Sequence, residues 1–396
     1  MTHRQRILAA IRGEPLHRLP WLPRLDLWYK ANRYCGTLPA EWTEAELADI
    51  LQDLGVGRHA VIPEFLEVEE PDEVYDRALG LDHVCNQPYR LRFRETERIV
   101  EHEGDETRVT YRTPVGSVSA KVAYTEQMRR DGVTLMQVTE KPIKSLADYP
   151  VLAWIFEDLE VVPDGGRYED LRQEVGEQGV AVAYAGASAG PVHQLLKELV
   201  PYDQFYFDLY DHPEVIERTA QRMRGYFSGV LEACAASPAE VVIFGANYDL
   251  MITPPPLFDR HIAPYLAEAA DRLHEAGKLM ATHTDGENQQ LLDFYAECGV
   301  DLADSVCPFP MTRLHLAEVR ERFGVRPAIW GGICSLSVLE QSFSDEQFEA
   351  HLDEVIEAVG DGRGMIFSVA DTMPPAASLD RIRRIGERVA DFGPVA

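Results

Sequence analysis

Residues 279–307 read LMATHTDGENQQLLDFYAECGVDLADSVC. An apolar run closes on His283, an amphipathic stretch follows, and a second apolar run closes on Cys307. The form recurs in AIWGGIC, residues 328–334, which closes on Cys334. Short apolar runs alternating with helical periodicity predict a parallel α/β fold. In a βα-barrel the C-terminal strand ends converge on one mouth, where active sites lie. His283, Cys307 and Cys334 can therefore meet there, although they are far apart in the chain. One imidazole and two thiols, joined by a nearby carboxylate, form a ligand set suited to Zn²⁺.

Working outward, the same reading gives eight strands, the number a closed (β/α)8 barrel requires. They fall near Leu22–Leu27, Ala60–Pro63, Val180–Ala185, Val241–Ala246, Leu279–His283, Leu302–Val306, Ala328–Gly331 and Met365–Val369. Amphipathic helices fit between them at Glu44–Leu54, Glu214–Ala235, Pro256–Ala276, Asn288–Cys298, Arg313–Phe323 and Asp345–Val359. Ser344 before acidic residues, and Pro213 after Asp211, are helix-start signals. Between Tyr89 and Thr139 the period changes to two, with turn signals at Glu103–Asp105 and Pro114–Gly116. That segment, 88–140, is predicted to be an antiparallel β-meander inserted after the second strand. The expectation is a single barrel domain over 1–396, opened by a short amphipathic helix in MTHRQRILAAIRGEPL.

Composition bounds the function. At 396 residues and 45% hydrophobic content the chain can bury a sizeable core. A formal net charge of −28 argues against binding a phosphate backbone, which needs clustered Lys and Arg. The six cysteines are too sparse for a disulfide framework. The N-terminus lacks the apolar core of a signal peptide, and no stretch is long and apolar enough to span a membrane, so a cytoplasmic location is expected. There is no P-loop, dinucleotide-binding glycine fingerprint or Gly-x-Ser-x-Gly elbow.

Several segments resemble the uroporphyrinogen decarboxylase superfamily. They are THRQRILAAIRGEPLHRLPW at the start, TPVGSV, KPIKSLADYPVLAWIFED, residues 282–306, LAEVRERFGVRPAIWGGI and the closing IFSVADTMPPAASLDRI. The resemblance runs over nearly the whole chain and implies a (β/α)8 barrel with additions. Its members include metal-free decarboxylases and zinc methyltransferases that work with corrinoid proteins, so fold alone leaves the chemistry open. The decarboxylases carry an Arg-Gln-Ala-Gly-Arg motif; here the matching region is PRLDLWYKANRYCG, which keeps only Arg24 and Arg33. Coenzyme M methyltransferases of the family use a His-x-Cys pair and a later Cys. Here His283-Thr284-Asp285 replaces the pair, and the last strand end reads SVAD, without a thiol.

What remains is similar to methyltransferases that take methyl groups from methoxylated aromatics. The resemblance thus implies a zinc enzyme that passes a methyl group from a small donor to the cobalt of a corrinoid (cobalamin) on a separate partner protein. No corrinoid module is present in the chain, and a homodimer is a family-level expectation. The alternatives are a metal-free decarboxylase of uroporphyrinogen or a similar polycarboxylate, and a non-catalytic barrel that binds a tetrapyrrole or corrinoid.

The candidate residues follow from strand-end placement. His283, Cys307 and Cys334 are the candidate metal ligands. Asp249, Asp304 and Asp285 are candidate catalytic carboxylates; Asp285 could instead ligate, orient His283 or cap the next helix. Asn247 and Asp371 end strands and could hydrogen-bond substrate. In PRLDLWY, Arg24 could pair with a substrate carboxylate, or with Asp26 in a rim salt bridge, while Trp28 and Tyr29 could stack on a flat ring.

Overall fold

In the computed structural model, which describes residues 1–395, six strands pair in parallel in the order the chain makes them. They are Ala183–Tyr184, Val241–Ala246, Leu279–His283, Leu302–Val306, Ala328–Ile333 and Met365–Val369. All but Leu279 of their residues are buried, as expected of parallel strands covered on both faces. Helices return the chain between them: Pro213–Ala236, Pro255–His261 with Ala263–Glu275, Leu292–Glu297, Leu316–Phe323 and Asp345–Val359. Ser344 closes a capping box with Gln347, and Pro213 occupies the first helical position, where its missing N–H costs nothing. The helix expected over 256–276 is broken at Ile262, because Pro264 lacks the N–H that continuation needs.

Two of the eight expected strands do not form ladders. Leu22–Leu27 runs directly into the helix Asp26–Cys35, and Ala60–Pro63 makes only isolated contacts. Backbone bonds still pass around this arc. Phe367 N–H donates to Pro20, Gly57 N–H to Trp21 and Val182 N–H to Ala60, at 2.9, 3.2 and 3.0 Å. The N-terminal helix, His3–Arg12, packs against the strands Ala328–Ile333 and Met365–Val369 and buries Ile7, Leu8 and Ile11.

A second sheet is antiparallel, with Glu97–Glu103, Glu106–Thr113, Gly116–Ala123 and Gln137–Glu140 neighbouring one another in chain order. Val109, Tyr111, Val118, Ala120 and Val122 alternate onto its buried face. Tyr89–Phe93, expected to open this meander, pairs instead with Leu159–Pro163. Tyr111 donates its hydroxyl to Asp76 at 2.9 Å, which ties the sheet to the helical segment Pro71–Leu79.

Asp158, buried at the end of the helix Tyr149–Asp158, accepts the backbone N–H groups of Arg94, Glu95 and Thr96 at 2.8–3.2 Å. Burial opposes its charge, but these bonds outweigh burial and lower its pKa. Asp158→Ala orphans three donors and should cost roughly 2–4 kcal/mol, read as an earlier urea midpoint with little change in slope.

Candidate active site

Among the described residues, the three outside glycine with positive φ are Asn247, Ser305 and Asp371, at 59°, 64° and 56°. Each lies at or just beyond the end of a parallel strand, where left-handed backbone costs free energy and so tends to mark a functional site. Asn247 N–H donates to the His283 carbonyl at 3.0 Å, and Asp371 N–H donates to the Ser305 hydroxyl at 2.8 Å. The strand ends are thereby stitched together around one cavity of about 370 Å³.

His283, Asp285 and Asp371 share one end of that cavity. One ligand atom from each lies within 4.8 Å of the others, and they are the group among the described residues that could hold a metal ion. Asp304, 1% exposed, takes the Nδ1 of His283 at 2.7 Å. Its other oxygen lies 3.7 Å from His59 Nε2. With Nδ1 committed, Nε2 of His283 faces the carboxylates, 4.0 Å from Asp371 Oδ1. This is the carboxylate–histidine arrangement that orients metal-binding imidazoles. Burial opposes a charge on His283, but the bond and charge of Asp304, with Asp371 and Asp285 beyond, outweigh it and raise its pKa. Burial likewise opposes ionisation of Asp304, yet His283 and His59 hold its carboxyl well below the usual range.

The charge balance favours a cation. Asp26, Asp285, Asp304 and Asp371 gather near the buried guanidinium of Arg24, and Lys30 also acts on Asp26. The guanidinium bonds Asp371 at 3.0 Å and Asp26 at 3.2 Å. Asp304 is buried and the other three are half-buried; clustered carboxylates call for compensation, and a divalent ion on one nitrogen and two oxygens would supply it.

Not every expected residue joins this centre. Cys307 lies beside it, but its protonated thiol donates to Asp285 at 2.9 Å; burial and the Asp285 charge push its pKa up. Cys334 lies outside the group and outside the cavity wall. Its strand ends in the short turn Ser335–Val338, and its thiol faces the backbone N–H groups of Leu336, Ser337 and Met311. Asp249 also lies off the wall, accepting Met251 and Glu287 N–H at 2.8 and 3.1 Å, so it braces a loop. Trp28 and Tyr29 are buried; Trp28 meets Trp42 edge-on and Tyr29 donates to Glu46. The segment is helical instead of extended, so they turn into packing while Arg24 and Leu27 reach the cavity. Asn247, Asp285, Asp371 and Arg24 line it as expected; Asp304 acts from behind His283, and Asp26 reaches it through Arg24.

The far wall was not anticipated from sequence. It carries Arg77, Asp82, Tyr184, Lys197 and Glu198, with Ile62, Phe65, Val133 and Leu135 between the two ends. The one signal for it was a charged pair, Lys197-Glu198, inside the otherwise apolar run LLKELV.

Residues 159–392, more than half the chain, match the model of the uroporphyrinogen decarboxylase (URO-D) family. The chain belongs to the URO-D family. No curated protein matches it. Among solved structures it is similar to a methyltransferase from Methanosarcina mazei, with a TM-score of 0.58, 17% identity and 99% of each chain covered. At that identity the likeness is one of fold. In the sequence, Asp285 stands two residues after His283, and Asp371 lies just beyond the last parallel strand, Met365–Val369. Those two carboxylates are the ones that converge on His283. No helix among the described residues is long and apolar enough to cross a membrane.

Proposed function

We propose that the protein is a metal-dependent methyltransferase that moves a methyl group from a small methoxylated aromatic to the cobalt of a corrinoid on a separate protein. The observation that carries this reading is the His283–Asp285–Asp371 group at one end of a small cavity in a URO-D family chain. The fold likeness to a methyltransferase supports it. We read the chain as one unit, its ring of strands closing through residues 20–22 and 57–60 and its antiparallel sheet set in as an insertion.

His283 Nε2, Asp285 and Asp371 would hold the ion. Zn²⁺ is our first choice, since imidazole and carboxylate both bind it; the harder oxygen donors also suit Mn²⁺. Lewis acidity toward the donor's ether oxygen is what a bound divalent ion would supply. In such a transfer the methyl–oxygen bond breaks, its electron pair stays on oxygen, and the methyl group joins the nucleophilic acceptor. Asp304 keeps the proton on Nδ1, and Arg24 fixes Asp371 while offsetting its charge. Leu27, Ile62 and Phe65 shield a ring from water.

Two features weigh against decarboxylation of a tetrapyrrole. The one arginine at this end, Arg24, is already committed to Asp26 and Asp371. The cavity also sits at the small end of ligand pockets, roughly 300–1,000 Å³, whereas a tetrapyrrole is several times the size of one ring.

The test is metal analysis of the purified protein with a transfer assay. About one divalent ion per chain and methylation of free cob(I)alamin by a methoxylated aromatic are expected. Failure to retain any divalent ion, or turnover of uroporphyrinogen by metal-free protein, would overturn the reading.

A further inference from the structure

A second cavity, of about 500 Å³, adjoins the first and shares part of its wall. Met128, Met136, Val138 and Tyr202 belong to it and not to the first. Val133 and Leu135 line both, together with Arg77, Lys197 and Glu198. It reaches the surface, where Gln137 is exposed and Tyr202 is 45% exposed. Both volumes fall in the usual range of small-molecule cavities, roughly 300–1,000 Å³.

The shared wall has a fixed half and a loose half. In the fixed half Glu198 accepts Arg77 at 2.7 Å, and the Lys197 ammonium donates to the carbonyls of Ala187 and Ala246 at 3.0 and 3.4 Å. Arg77 and Lys197 stand against Glu198 and Asp82, so the charges balance. Lys141 gives its ammonium to the carbonyls of Leu196, Lys197 and Val200 at 3.3, 2.8 and 2.9 Å and lies over the Tyr202 ring at 4.2 Å. With its cations committed, the second cavity suits a neutral, apolar guest.

The loose half is Val133–Leu135, in the connection between the strands Gly116–Ala123 and Gln137–Glu140. Among the described residues, Thr134, Leu135 and Met136 take part in no backbone–backbone hydrogen bond. Such segments open at low cost in free energy. The ends are anchored. Gly132 holds φ at 69°, and a Cβ there would stand 2.4 Å from the Leu27 carbonyl oxygen, so glycine lets the chain lie against the helix Asp26–Cys35. Val133 N–H donates to Met128 at 3.0 Å, and the Val133 carbonyl accepts the Tyr124 hydroxyl at 2.7 Å. Beyond Met136 the chain enters the ladder with Gly116–Ala123. A short unbonded strip is thus stretched between two fixed points, along the boundary of the two cavities.

We propose that the second cavity is an entry chamber for a neutral aromatic ligand, and that Val133–Leu135 is the gate between it and the metal end. The class of ligand rests on the methyl-transfer reading above; the passage does not. An entrance separate from the mouth lets the small ligand exchange while an acceptor protein covers the mouth.

Stopped-flow binding of 2-methoxynaphthalene to the purified full chain, read through the probe's own emission and without any methyl acceptor, tests the passage. Met128→Trp fills the chamber without touching the first cavity. It should slow association and dissociation alike, each by about tenfold, as an obstacle on the route does, and leave Kd nearly unchanged. Leu135→Ala should speed both steps. Rates unchanged in both variants, a slower association in Met128→Trp matched by an equal loss of affinity, or no probe binding at millimolar concentration would overturn the proposal. If Met128→Trp does not fold, the rates in Leu135→Ala decide. Gated binding without methyl transfer to cob(I)alamin would leave the passage standing and remove only the methyl-transfer reading.

Discussion

His283→Ala is expected to strip the protein of its divalent ion and of its methyl-transfer activity. Changes to groups that merely orient a ligand cost about 10–100-fold in metal affinity, so loss of a donor should exceed that. Loss of the ion's several kcal/mol of charge stabilisation lowers the rate on the order of a thousandfold or more. Asp371→Ala and Asp285→Ala should behave alike, since each contributes one of the three clustered atoms. Cys334→Ala should keep the full metal content, because that thiol faces a backbone turn away from the cavity. The measurement is metal per folded chain after dialysis, with circular dichroism as the folding control. Metal retained by His283→Ala, or lost from Cys334→Ala, would remove the proposed donor set.

Asp304→Asn should have the second-largest effect, by a different route. The carboxylate is almost wholly buried between two imidazoles and touches no ligand. Neutralising it should weaken metal binding about 10–100-fold and destabilise the fold by roughly 3–5 kcal/mol, the usual cost of breaking a buried ion pair. The pH dependence carries a sign. The His283 pKa is raised, so its contribution to stability is complete below the ordinary imidazole value of about 6.5 and fades as pH rises through the folded value. The Asp304 pKa is depressed, so its share is present above about 3.9 and is lost only in stronger acid. In metal-free protein the pair should therefore stabilise most in weak acid. In Asp304→Asn the His283 ring should titrate at lower pH than in the unaltered protein, as followed by its NMR resonances. An unchanged titration would mean that the two side chains are not coupled.

The alternation of apolar runs and helical periods was enough to place five of the six parallel strands within a residue or two, because each is buried on both faces and reads as a continuous apolar segment. The start of the chain read less clearly. PRLDLWY alternates over so few residues that it suits strand or helix, and the helix wins by burying Trp28 and Tyr29. At the site, strand-end placement gathers the candidates near one mouth, and ranking them by softness favours Cys307 and Cys334, which lie outside the His283–Asp285–Asp371 group. Which strand-end side chain faces inward depends on local turns, such as the left-handed Asp371, that spacing does not encode. The Arg77–Lys197 wall joins segments 120 positions apart through tertiary packing, with only a charged pair in an apolar helix as a clue.

The donors proposed at the mouth are an imidazole and two carboxylates, and this choice bears on the tolerance of the site to oxygen. Thiolate ligands climb from sulfenic to sulfonic acid and can be trapped in mixed disulfides. Asp285 and Asp371 have no such ladder, and the nearby sulfur of Cys307 is kept as an unreactive thiol by burial and its bond to Asp285. A centre held by these carboxylates should keep its metal content after exposure to air, where one held by thiolates would lose it.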